Sequence, residues 1–221
     1  MEKKIVLAGL LSLGLLCIAA QAGPTYSFIH IAETGDGPVQ FGDGAIGEAQ
    51  LFVELVDLPT GQVEFVFTNT GPLASSITDI YFDNGPLLGI ASITNTPGLV
   101  EFSQGASPGN LPGGNNLADP FVTAPGLSFD SDPPAQPMGV NPGESLGLTF
   151  DLQTGRTFQN VIEDLGTGDL RIGLHVQGYA SGGSEAFVNN GPNTRVPVPG
   201  AALLAGMGIA GLGWLKRRRE E

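Results

Sequence analysis

Through the centre of the chain, apolar and polar residues alternate in short runs. QVEFVFTNT, residues 62–70, puts Val63, Phe65 and Phe67 on one side and Glu64, Val66 and Thr68 on the other. SLGLTFDL sets Leu146, Leu148, Phe150 and Leu152 against Gly147, Thr149 and Asp151. LRIGLHVQGY sets Leu170, Ile172, Leu174 and Val176 against Arg171, Gly173, His175 and Gln177. Successive side chains leave opposite faces of a sheet, so a period of two with one polar face marks a half-buried antiparallel strand. The same signal predicts strands over 26–33, 50–58, 77–83, 89–94, 99–103, 127–129 and 185–188. Gly, Pro, Asn and Asp break these runs at roughly ten-residue intervals, the spacing of a β-sandwich or jelly roll.

One segment departs from the period of two. In TFQNVIEDLG, Phe158, Val161, Ile162 and Leu165 recur at helical spacing, with Thr157 placed to cap the start and Gly166 to end the helix. The stretch 105–142 is rich in Gly, Pro and Asn, but apolar pieces at Phe121-Val122 and Leu127-Ser128-Phe129 predict ordered loops of one domain rather than a linker. No internal repeat is present. The expected fold is mostly β: one antiparallel sandwich or jelly-roll domain with a single short helix.

The two ends are unlike this middle. Residues 1–22 read MEKKIVLAGLLSLGLLCIAAQA: Lys3 and Lys4, an apolar run, then small residues at Ala20 and Ala22 before Gly23. That is the layout of a secretory signal peptide cut between Ala22 and Gly23, which makes the Sec machinery and signal peptidase expected partners. Cys17, the one cysteine, would leave with it, so the mature domain has neither a disulfide nor a thiolate metal site. At the other end, 200–215 is uncharged and Lys216, Arg217, Arg218 and Arg219 follow. A helix of 16 residues spans about 24 Å, short of a hydrocarbon core of about 30 Å. Five glycines weaken it further, and the basic cluster would hold its far end in the cytoplasm. The stretch suits a transient stop in a membrane better than a lasting anchor, although a plain C-terminal anchor is the simpler alternative.

Charge sharpens once the ends are set aside. The chain has 22 acidic and 9 basic residues; Glu2, Glu220, Glu221 and six of the bases lie in the terminal segments. The middle therefore keeps 19 acids against Arg156, Arg171 and Arg195, and has no lysine. Such a surface repels nucleic acid, and no nucleic-acid partner is expected.

Candidate chemistry is sparse. Gly143-Glu144-Ser145-Leu146-Gly147 has the G-x-S-x-G pattern, but a nucleophile elbow needs a strand before and a helix after, whereas Asn141-Pro142 precedes this one and a strand follows. A tight turn is expected instead. His30 and His175 sit at alternating strand positions outside any metal-spaced cluster, and read as surface histidines. Oxygen-rich loops hold calcium, and two aspartate pairs stand out as candidate ligands: Asp79 with Asp83, and Asp130 with Asp132. Turn-capping is their ordinary role; Ca²⁺ is the one cofactor considered, and the expectation is none. Tyr26, Tyr81 and Tyr179 are few platforms for a carbohydrate-binding module, with Trp214 in the tail, and no enzyme activity is expected.

Val196-Pro197-Val198-Pro199-Gly200-Ala201, then the Gly/Ala/Leu stretch, then Lys216–Arg219 form an ordered set. It resembles the tripartite C-terminal signal of PEP-CTERM sorting proteins in its VPxPA form, with Val198 where glutamate is common. The resemblance covers about 26 residues. It implies an exported protein of an exopolysaccharide-making Gram-negative bacterium, cut near Pro197–Pro199 by an exosortase. It also implies a cell-surface or extracellular destination and a structural role beside exopolysaccharide. SSITDIYFD, SPGNLPGGN, NPGESL and LRIGLHVQGYASGGSEAFVN are similar to a domain that recurs among such proteins, which implies no assigned activity. The expected layout is thus a signal peptide over 1–22, an acidic β domain over 23–192 and a sorting signal over 193–221.

Overall fold

The computed structural model describes residues 20–31 and 42–193. Ten strands make one antiparallel sheet: β1 Gln21–Ile31, β2 Leu51–Leu58, β3 Gln62–Asn69, β4 Ser76–Asn84, β5 Leu87–Thr94, β6 Phe102–Gln104, β7 Ser128–Ser131, β8 Ser145–Leu152, β9 Leu170–Gln177 and β10 Glu185–Asn193. Their order across the sheet is β5-β8-β3-β2-β1-β10-β9-β4-β7-β6. Where alternation predicts a sandwich or jelly roll, the strands form a single sheet nearly closed into a barrel. Its outermost strands meet through the turn after β5: Thr96 and Val100 bridge, and the Asn95 side chain exchanges two hydrogen bonds with the Phe102 backbone, at 2.9 and 3.1 Å.

The predicted faces hold. Val63, Phe65 and Phe67 of β3, Leu146, Leu148 and Phe150 of β8, and Leu170, Ile172, Leu174 and Val176 of β9 all point into one core. Its centre is aromatic. The Phe82 ring of β4 lies 5.1, 6.2, 6.1 and 4.8 Å from the rings of Phe65, Phe67, Phe129 and Phe150, mostly edge to face. Strands distant in the sheet order therefore meet across the interior, where edge-to-face pairs add to burial. Each such side chain contributes about 1.5–3 kcal/mol by leaving water, and this replaces the disulfides that the domain lacks.

Helices close the two ends. Helix α3, Phe158–Thr167, buries Val161 and Leu165 in the core, and Phe158 packs beside Gly23 at the start of β1. Asn160 Oδ1 accepts from the Thr157 backbone N–H at 3.0 Å and from the Thr157 hydroxyl at 3.1 Å. The helix runs past Gly166 and ends at Gly168, whose φ of 86° is the left-handed C-cap. Helix α1, Asp43–Gln50, covers the opposite end and carries no apolar stripe that would predict it. It seats through glycine instead: a Cβ on Gly47 would lie 2.1 Å from Phe187 Cζ. Helix α2, Ala135–Met138, and a 3₁₀ turn at Gly114–Asn116 are short additions.

The predicted ordered loop is a strap. Residues 105–127 cross the outside of the sheet, where Leu111 and Phe121 form a second apolar cluster with Ile31, Tyr81, Ala186 and Val188. Leu111 fits into the space above Gly173, where a Cβ would fall 2.8 Å from Leu111 Cδ2.

Candidate functional site

Beside the strap, the outer faces of β7, β4 and β9 gather ionisable groups into a band. The register aligns Asp79 of β4 with Asp130 of β7 on one side and with His175 of β9 on the other. Directly opposed side chains on one face stand about 4.5–5.5 Å apart at Cβ, so pairing alone puts the three groups in a row. Asp79 Oδ2 accepts from His175 Nδ1 at 2.8 Å and from the Thr78 hydroxyl at 3.0 Å. Because a carboxylate has no proton to give, this bond fixes Nδ1 as the protonated nitrogen whenever His175 is neutral.

The other oxygen, Asp79 Oδ1, is buried and meets no N–H or hydroxyl donor, on a side chain only 2% exposed as a residue. Asp130 is half-buried. Burial first, then the Asp79 charge and a hydrogen bond to Asp79, hold its carboxyl above the ordinary aspartate range, while His175 pulls it down. That hydrogen bond exists only while one carboxyl keeps a proton. Tyr81, one pleat along β4, donates to the Pro108 carbonyl at 3.0 Å, and burial together with Asp79 and Asp130 pushes its phenol well up.

The candidate calcium aspartates are thus regrouped. Asp79 and Asp130 come together, although they belong to different pairs in the sequence. Asp83 lies four residues along β4 and forms an ion pair with Arg171. Arg171 is held further by the carbonyls of Asp119 and Pro120, at 2.7 and 2.8 Å, and by the Phe121 ring, 5.4 Å from its guanidinium carbon. Asp132 accepts from the Ser103 hydroxyl at 2.8 Å. Among the described residues, no group of three or more His, Cys, Asp or Glu side chains is gathered as a metal cage.

The histidines are less exposed than surface residues. His175 has a side chain 13% exposed, bonded to Asp79. His30 bonds Glu185 through Nε2 at 2.6 Å under helix α1, its backbone N–H goes to Glu48 at 2.9 Å, and Ser181 donates to Asp43 close by. Tyr179, buried in this mouth, has a hydroxyl without a partner, and burial plus Glu185 and Asp43 raise its pKa. Among the described residues each histidine side chain is bonded to a carboxylate and neither to a serine.

The G-x-S-x-G stretch is a turn feeding a strand. Glu144 N–H donates to the Asn141 carbonyl at 2.9 Å, Gly143 takes φ of 89°, and Ser145 opens β8 opposite Thr68. Of the expected cleavage residues, Ala20 precedes β1, Ala22 pairs with Val56 and Gly23 lies beneath Phe158. The sorting residues Val196, Pro197, Val198 and Pro199, the basic cluster Lys216, Arg217, Arg218 and Arg219, and the signal segment before Ala20 lie outside the described residues. Among the described residues, no helix is long and apolar enough to cross a membrane.

Sequence reasoning missed the Asp79–Asp130–His175 row because register between strands far apart in the chain, 96 residues between Asp79 and His175, leaves no local mark. The available signal was outward placement: all three stand at polar positions of alternating runs. No known protein family, no characterised protein and no solved structure matches this chain.

Proposed function

We propose that this is an exported protein whose acidic β domain works at the cell surface or in the extracellular matrix as a non-catalytic, structural module beside exopolysaccharide. In this reading the signal peptide over 1–22 directs Sec export, and the Pro197–Pro199 motif with its helix and basic cluster pauses in the inner membrane for an exosortase. The facing halves of the sheet act as the two layers of a sandwich or jelly roll.

One observation supports the export and sorting part of this reading: the first and last strands overlap the two terminal segments by only two residues and one. β1 starts at Gln21, inside the 1–22 segment, and β10 runs to Asn193, the first residue of the 193–221 segment. The first and last strands are neighbours, with Thr25 opposite Asn193, so the chain enters and leaves the domain at the same end. Cutting after Ala22 removes the pairings of Gln21 and Ala22 with Asp57 and Val56 and leaves every β1–β10 pairing in place. Both terminal segments can therefore be removed without opening the sheet.

Intact-mass analysis of the protein recovered from its native host tests this. The expected species starts at Gly23 and lacks everything beyond the Pro197–Pro199 region. A surface species that still carries Lys216–Glu221 would contradict sorting and favour a plain C-terminal anchor. A second reading, a calcium-dependent binding module, is favoured by the Asp79–Asp130 pair.

A further inference from the structure

We infer that the cleft between the C-terminal end of α3 and the strap binds a neutral sugar residue. The inference deepens the proposed place beside exopolysaccharide and rests on it for the source of the sugar. The cleft holds about 360 Å³ and opens to solvent. Small-molecule sites start at about 300 Å³ and combine an apolar lining with a few polar groups. Here the apolar part is aliphatic: Leu165 and Val188, both buried, and Leu117 of the strap.

The polar part comes from three separate elements. Asn189 of β10 accepts the Ile172 N–H through Oδ1 at 2.7 Å, which fixes the amide, and among the described residues its Nδ2 finds no acceptor. That leaves one donor for a ligand. Asp119 of the strap has a side chain 87% exposed, and its carboxylate lies 3.6 Å from Arg171 Nη1, beyond hydrogen-bond distance. Gly166, Thr167 and Gly168 bring the end of α3, where carbonyls lack intrahelical partners and carry partial negative charge.

This set chooses the ligand. A hydroxyl donates and accepts at once, so a ring of hydroxyls can meet Asn189 and Asp119 together. A cation would use the acceptors and leave the Asn189 donor idle. An anion would meet the negative end of the helix in a domain that keeps 19 acids against three arginines. Arg171, which also lines the cleft, is committed to Asp83 and to the Asp119 and Pro120 carbonyls. With no aromatic platform in the lining, a sugar of about a dozen non-hydrogen atoms should bind with a dissociation constant of about 10⁻³–10⁻² M.

The test follows the amide spectrum of the isotope-labelled full-length chain during titration with methyl glucoside, methyl mannoside and methyl galactoside, and with glucuronate at matched ionic strength. At least one neutral glycoside is expected to shift the Asn189 side-chain amide and the backbone amides of Ala118 and Gly166, with a midpoint between about 1 and 10 mM. Glucuronate should bind at least about fivefold more weakly. Asn189→Asp keeps the acceptor for the Ile172 N–H and loses the donor, while Asp119→Asn alters only an exposed carboxylate. Each variant should keep the native spectrum elsewhere and bind about fivefold more weakly, the worth of one hydrogen bond. The site is refuted if no glycoside gives a saturating shift up to about 50 mM, or if both variants keep the full response. Glucuronate binding as well as the neutral glycosides would overturn the choice of ligand. The titration uses purified chain, so it can fail while export and sorting stand, and the mass measurement can fail while the cleft binds.

Discussion

Three buried tyrosines show how a hydroxyl can be tolerated or wasted. Tyr81 spends its proton on the Pro108 carbonyl, but Tyr26 is fully buried in the core and its hydroxyl meets no partner. An unpaired buried hydroxyl costs about 1–3 kcal/mol, and burial pushes the Tyr26 phenol up to about 12 from an ordinary value of 10.0. The sign of the linkage follows. Below pH 10 both folded and unfolded phenols are neutral and the contribution is intact; between 10 and 12 the unfolded chain ionises first, so stability falls as pH rises. Tyr26→Phe should therefore raise the melting temperature at neutral pH by about 2–4 °C, the shift expected of roughly 1 kcal/mol at this size. It should also flatten the decline between pH 10 and 12, and melting curves across that range check both effects. None of this is visible in the sequence, where Tyr26 reads as one more alternating residue. The orphan arises from what lies opposite in the closed core.

At the scale of the element, legibility follows the origin of each element's stability. Strands β3, β8 and β9 were readable because one face carries the large apolar side chains of the core and the other mostly small or polar residues, and α3 because Val161 and Leu165 repeat at helical spacing. Helix α1 was unreadable because it carries glycine where it touches the sheet: Gly47 brings the helix backbone onto the Phe187 ring. Glycine lowers helix propensity by about 0.5–1 kcal/mol, so the signal for the helix is weakest where its packing is closest. Two substitutions separate propensity from packing. Gly166→Ala in α3 meets nothing within 4 Å and should stabilise by about 0.5–1 kcal/mol. Gly47→Ala gains the same propensity but drives a methyl into Phe187, and should destabilise by about 1–3 kcal/mol. Urea denaturation of the two variants should give opposite signs; equal signs would mean that α1 can shift away from the sheet.

For the whole molecule, the alternation constrains each strand and says little about how ten of them close. Closure depends on pairings far apart in the chain: β1 with β10, β4 with β9, β3 with β8. Each puts an apolar face inward, yet a sandwich of two sheets satisfies the same pattern equally well. What decides between them is the seam between β5 and β6, and there a side chain does the work of a strand. The Asn95 amide accepts from the Phe102 N–H through Oδ1 and donates to the Phe102 carbonyl through Nδ2, the exchange two paired backbone units would make. The sequence TNTPG around it reads as a turn, so nothing local distinguishes this asparagine from the loop residues beside it. Asn95→Ala removes both bonds from the partly buried Phe102 backbone and should cost about 1–3 kcal/mol. If closure rests on this residue, the loss is local to the seam: the Phe102 amide should exchange hydrogen faster, while Phe28 of β1, on the opposite side of the sheet order, keeps its protection. Asn95→Asp keeps the acceptor and loses the donor, and should fall between. Equal loss of protection at Phe28 and Phe102 would instead show that the sheet opens as one unit, with the core phenylalanines rather than the seam holding it shut.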